Sequence, residues 1–156
     1  MRWTKLKQLV EQNIAPSLGG RIAINSARYG ACSCGHAWIT LDGEVIANFD
    51  TIAYWNRMRD YVPERVNPRY AKQSAAYGEF SRQGVYKACF AFVHDIPVAE
   101  ALEHADPIVQ ALAVIDRRVG KRRLAQIDPE TRHPLVRLFL AERLRAEGMA
   151  GRKLAA

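Results

Sequence analysis

Residues 36–50 read HAWITLDGEVIANFD, and their pattern decides the fold class. Two β-prone runs, His36–Leu41 and Glu44–Asp50, flank the pair Asp42-Gly43. A type I′ turn needs positive φ at both central positions, which Asp-Gly tolerates, so a two-residue hairpin is expected. That turn sets Ile39 opposite Ile46 and Trp38 opposite Ala47. The two faces then carry Ile39, Leu41 and Ile46, and Trp38, Val45 and Phe49. Both are partly apolar, so one is expected to pack on helices and the other to be covered by a partner or another segment.

Upstream, Arg21–Tyr29 reads as a further strand with Ile22 and Ile24 on one face, followed by a loop at Gly30–Gly35. Before it, Leu6, Leu9, Val10 and Ile14 share one face of a helix over Thr4–Asn13, capped by Thr4 and stopped by Pro16 and Gly19-Gly20. Downstream, Thr51 is expected to cap a helix over Ile52–Tyr61 whose Tyr54 and Trp55 pack on the sheet. A linker at Val62–Pro68 leads to a helix from Pro68 to Gln83, closed by Gly84. Val85–His94 reads as helix, and Pro97, Asp106-Pro107 and Asp128-Pro129 each signal a helix start. Ile108, Ala111, Leu112, Ile115 and Val119 form an apolar stripe ending at Gly120. Leu135, Leu138, Phe139 and Leu144 carry a last helix to Gly148. Strands first and helices after is the α+β pattern. The expectation is one domain over residues 1–156: a small three-stranded antiparallel meander packed against several helices, with a helix-rich C-terminal half.

The chain has 156 residues, 49% hydrophobic and 25% charged, enough for one hydrophobic core. It shows no internal repeat or low-complexity tract. No apolar run reaches the roughly 18 residues of a membrane helix, and the N-terminus lacks the apolar core of a signal peptide. Three cysteines, Cys32, Cys34 and Cys89, are an odd set without an export signal. They read as free thiols in a reducing cytoplasm.

The formal charge of +7 is uneven. Residues 107–156 hold 11 Lys and Arg against 5 Asp and Glu, while residues 1–106 are nearly balanced at 12 against 11. The excess peaks in Asp116-Arg-Arg-Val-Gly-Lys-Arg-Arg-Leu124. Arg117, Arg118, Lys121, Arg122 and Arg123 are the candidate anion-binding residues, and Arg132, His133 and Arg137 extend the patch. Arginine grips phosphate through two parallel N–H bonds, and such a patch binds in a salt-dependent way with little sequence readout. The structural alternative is that a helix ends at Gly120 and the cations answer its dipole.

Two weaker constellations stand beside it. Cys32-x-Cys34-x-His36 offers three zinc-type ligands, but the spacing is narrow and no fourth ligand accompanies it, so no metal or cofactor is expected. Ser26, Arg28 and His36, with Asp42 and Asp50, are the first suspects for a small hydrolase or nuclease beside the sheet, provided they converge in a pocket. No Gly-x-Ser-x-Gly elbow, phosphate loop or His-Glu-x-x-His supports them. Tyr54, Trp55, Tyr70, Tyr77, Phe80, Tyr86, Phe90 and Phe92 read as core rather than base-stacking platforms.

The stretches MRWTKLKQLVE, GHAWITLDGEVIANFDTIAYWN, ALAVIDRRVGKRRL and HPLVRLFLAERLRAEG resemble a functionally uncharacterised family of small single-domain bacterial proteins. The resemblance implies a cytoplasmic bacterial protein and carries no activity, cofactor or site residues. The loop at Cys32–Cys34 stands outside it. The leading expectation is a non-enzymatic module whose basic C-terminal third contacts nucleic acid or an acidic protein. A hydrolase is the first alternative, and a homodimeric interaction module using Trp38, Val45 and Phe49 is the second.

Overall fold

A computed structural model describes residues 1–30, 32–61, 63 and 73–149. Helix α1 (Trp3–Glu11) precedes a short 3-10 turn at Pro16–Leu18. Strands β1 (Ile22–Arg28), β2 (Gly35–Leu41) and β3 (Glu44–Asp50) form an antiparallel sheet in that order. Then come α2 (Thr51–Met58), α3 (Arg82–His94), α4 (Val98–Ala101), α5 (Pro107–Ile115), α6 (Lys121–Leu124) and α7 (Pro134–Ala146). The fold is α+β. Helix α3 packs on β2 and β3, α5 on α3, and α7 on α5, while α1 lies against β1 and α3. The buried core runs through these layers from Ile24, Ile39 and Phe49 to Phe92, Leu112 and Phe139.

The hairpin turn forms at Asp42-Gly43, with φ of 51° and 85°. Its register departs from the two-residue expectation. Leu41 pairs with Glu44 and Thr40 with Val45, but a bulge then makes Ile39 face Ala47 and Trp38 face Asn48. One extra residue on β3 moves every later side chain to the other face. Phe49 therefore joins Ala37 and Ile39 in the core, fully buried, rather than sharing the outer face with Trp38 and Val45. The expected second apolar face is thus corrected. The side opposite the core carries Asn25, His36, Trp38, Asn48 and Asp50 by register.

Several boundaries also differ. Thr4 caps nothing, because α1 begins one residue earlier at Trp3. Asp50, not Thr51, caps α2, accepting from the amides of Ile52 and Ala53 at 2.8 and 3.0 Å. Thr51 is instead buried, its hydroxyl donating to the Gly35 carbonyl at 3.0 Å. Trp55 points outward and is 48% exposed, and Ile52 and Met58 are exposed with it. Residues 73–81 are not helical, and Gly84 lies inside the first turn of α3, whose cap is Ser81. The expected helix start at Pro68, most of the linker before it and Tyr70 fall outside the described residues. Helix α5 ends at Ile115, so Val119 is buried from a turn, and Gly120 opens α6 instead of closing α5. Asp128-Pro129 starts only a 3-10 turn at Pro129–Thr131, and α7 begins after His133. Phe92 is buried, and Phe80, Tyr86 and Phe90 pack against the core.

Cys32 and Cys34 are joined in a disulfide, correcting the expectation of free thiols there; Cys89 is free and buried. The loop between β1 and β2 brings their Cα atoms to 5.3 Å, within bridging reach. With both sulfurs bonded to each other, the pair offers no thiolate for zinc.

Candidate functional site

The basic segment leaves α5 at Asp116, whose backbone is extended, and is held from two sides. On one side the chain after α1 zips against it: the Ala15 amide donates to the Ile115 carbonyl and the Arg117 amide to the Asn13 carbonyl, both at 2.8 Å. On the other, Arg143 of α7 donates to the carbonyls of Asp116 and Val119, both at 3.1 Å. The Val119 amide closes the turn onto the Asp116 carbonyl. Val119 and Leu124 are sunk in the core, so the residues around them are forced outward. Arg117, Arg118, Lys121, Arg122 and Arg123 are all exposed.

Those five cations are not equivalent. Arg118 folds back on Asp116 in a two-point pair, Nε to Oδ1 at 2.9 Å and Nη2 to Oδ2 at 2.8 Å. Its guanidinium lies 5.9 Å from the Phe92 ring centre. The hydrogen bond to Asp116 raises its pKa above the ordinary arginine value. Lys121 reaches Glu147, 3.5 Å from Oε2 and donating to its carbonyl at 3.2 Å. Among the described residues, Arg117, Arg122 and Arg123 have no side-chain hydrogen bond or ion pair. Arg122 and Arg123, with Gly120 and Gln126, line a shallow depression of about 380 Å³. The backbone of the bend is tied down by hydrogen bonds, and the guanidinium groups of Arg117, Arg122 and Arg123 stand in solvent above it.

The extension of the patch is partial. Arg132 is taken by Glu103, with Nη2 2.7 Å from Oε1. His133 caps α7: its Nδ1 accepts from the Leu135 amide, so Nε2 carries the proton and donates to Glu79 at 2.8 Å. Arg137 remains exposed on α7.

The hydrolase suspects do not converge. Ser26 sits opposite Ala37 on the core side of the sheet and accepts from Arg82 Nε at 2.7 Å. His36 lies on the other face and bonds Asn48. Arg28 donates to the Cys32 carbonyl, Asp42 pairs with Arg21, and Asp50 caps α2 while accepting from the Tyr29 hydroxyl. A base cannot reach a nucleophile through a sheet.

Arg143 and Glu147, which hold the bend, escaped the reading of the sequence. Their signal was present: Val136, Phe139, Leu140 and Arg143 recur at helical spacing on the buried side of α7. A charge on an apolar stripe implies an internal partner.

Residues 2–144 match the SF0329 protein family. No curated protein and no solved structure matches the chain.

Proposed function

The chain belongs to the SF0329 protein family, and for it we propose a non-enzymatic binding role in which the basic bend contacts the phosphates of nucleic acid. The observation that carries this reading is the set of Arg117, Arg122 and Arg123, exposed and without ion pairs among the described residues, on a backbone pinned by Arg143. Rigid display matters, since guanidinium groups already presented lose less freedom on gripping an anion. Arginine forks suit phosphate oxygens, and the depression between Arg122 and Arg123 admits one. No aromatic side chain belongs to the bend, so contact is with backbone rather than bases.

The test is binding of generic duplex and single-stranded DNA at 50 and 200 mM salt. Three phosphate contacts imply about a 40-fold loss of affinity between the two. Arg122→Glu with Arg123→Glu should abolish binding at low salt. Affinity unchanged by the double reversal, or no binding at low salt, overturns the proposal. Binding only to a poly-glutamate chain would instead assign the bend to acidic proteins.

A further inference from the structure

Beside α6, and lined by none of the residues of the arginine depression, the surface opens into an apolar slot of about 340 Å³. Its walls are Leu124, Ile127, Leu140, Leu144 and Met149, with Ala141 between them. Arg137, Ala141 and Leu144 follow the spacing of one helical face, so the slot extends at least about 10 Å along α7. Arg137 stands at the N-terminal end of that line. It is exposed, it is the charged residue lining the slot, and it has no ion pair among the described residues. A slot of this size, walled by side chains that offer water few hydrogen bonds, favours an apolar occupant.

We infer that this slot is a binding site for a small anionic amphiphile, an alkyl carboxylate of medium chain length whose tail lies along Leu140 and Leu144 and whose head meets Arg137. The chemistry is complementary at both ends. Burying the tail removes water from an apolar wall, and the Arg137 fork pairs with the carboxylate. Arg122 and Arg123, on the same short helix as Leu124, add positive potential nearby. The exposed residues Asp128 and Glu130 flank Pro129 at the slot's edge, so the head must reach Arg137 rather than that rim. The site is separate from the arginine bend and does not depend on the nucleic-acid reading.

Titration of the ¹³C-methyl-labelled full chain with octanoate and with octylammonium tests it. Octanoate is expected to shift the methyl signals of Leu124, Ile127, Leu140, Leu144 and Met149, and to bind about tenfold more tightly than octylammonium. Arg137→Glu should reverse that order, and Ala141→Phe should block both ligands. Both substitutions lie at exposed positions of α7, and a wild-type unfolding midpoint verifies the fold of each variant. Shifts centred elsewhere, equal affinity for the two head groups, binding that survives Ala141→Phe, or no binding at all would each overturn the inference.

Discussion

Arg143 donates through Nη1 to the main-chain carbonyl of Asp116 at 3.1 Å, joining the last helix to the end of α5 across 27 positions of sequence. The same guanidinium reaches the Val119 carbonyl and, through Nε, Glu147 Oε1 at 2.9 Å. Arg143 is only 4% exposed. A buried cation in this setting is tolerable because each of its three nitrogens donates to an oxygen, and the cost of removing it falls on the partners left behind.

Arg143→Met keeps the aliphatic stem but removes the donor to the Val119 carbonyl, one of two donors to the Asp116 carbonyl, and the buried charge paired with Glu147. It should cost about 3 kcal/mol, near a 10 °C fall in unfolding midpoint for a chain of this size. Hydrogen exchange at the Val119 amide, which bonds the Asp116 carbonyl, should accelerate beyond the molecule's average. A midpoint within 2 °C of wild type would show that the bend is held by something else.

Gly78 has φ of +67°, and a Cβ there would stand 2.3 Å from the Ala53 carbonyl oxygen of α2. Backbone meets backbone, so neither can swing aside. Gly78→Ala is expected to destabilise by about 2 kcal/mol or more, whereas Gly120→Ala, where a Cβ meets nothing within 4 Å, should be nearly neutral. Equal denaturation midpoints for the two variants would contradict this.

Acid should loosen the molecule through two carboxylates. The Ser17 hydroxyl, then Arg143 and Lys121, hold Glu147 below the usual carboxylate range, and the Arg21 hydrogen bond does the same for Asp42. A folded pKa below the unfolded value means the stabilisation is present above roughly pH 4.5 and is lost as pH falls through the folded values. Thermal midpoints from pH 7 to pH 3 should drop less steeply in Glu147→Gln than in wild type. Parallel curves would remove Glu147 from this account.

Thiol counting separates the three cysteines. Burial pushes the Cys89 thiol up to about 12, so it stays protonated and shielded at neutral pH. The oxidised native protein should show no rapid reaction with Ellman's reagent, the unfolded protein one thiol, and the reduced, unfolded protein three. Fast labelling of the native protein by one thiol would mean that Cys89 is accessible, and three thiols without reductant would mean that Cys32 and Cys34 are not joined.

The extent of what the primary structure disclosed follows from the range of the interactions involved. Asp42-Gly43, the Asp106-Pro107 start of α5 and the Leu6–Val10 stripe act within a few residues, and each appears where its local pattern placed it. The clustering of five cations in residues 117–123 was likewise visible as plain order along the chain. Thr51 shows the limit. Its hydroxyl suits a cap, yet Asp50 beside it took that part once Thr51 was drawn into the Gly35 and Gln83 hydrogen bonds.

Three decisions belonged to tertiary structure alone. The bulge at Ile46, between the Thr40–Val45 and Ile39–Ala47 pairs, turned Phe49 inward because only the assembled core could reward that side chain with burial. Which of the five cations remain unengaged was settled by Asp116 and Glu147, the latter brought to Lys121 from 26 positions away. The slot between α6 and α7 arises where two separated helices meet with small Ala141 between larger neighbours. Local pattern reports on bonds a residue makes with its sequence neighbours; burial, pairing and cavities are properties of surfaces that exist only after distant segments come together.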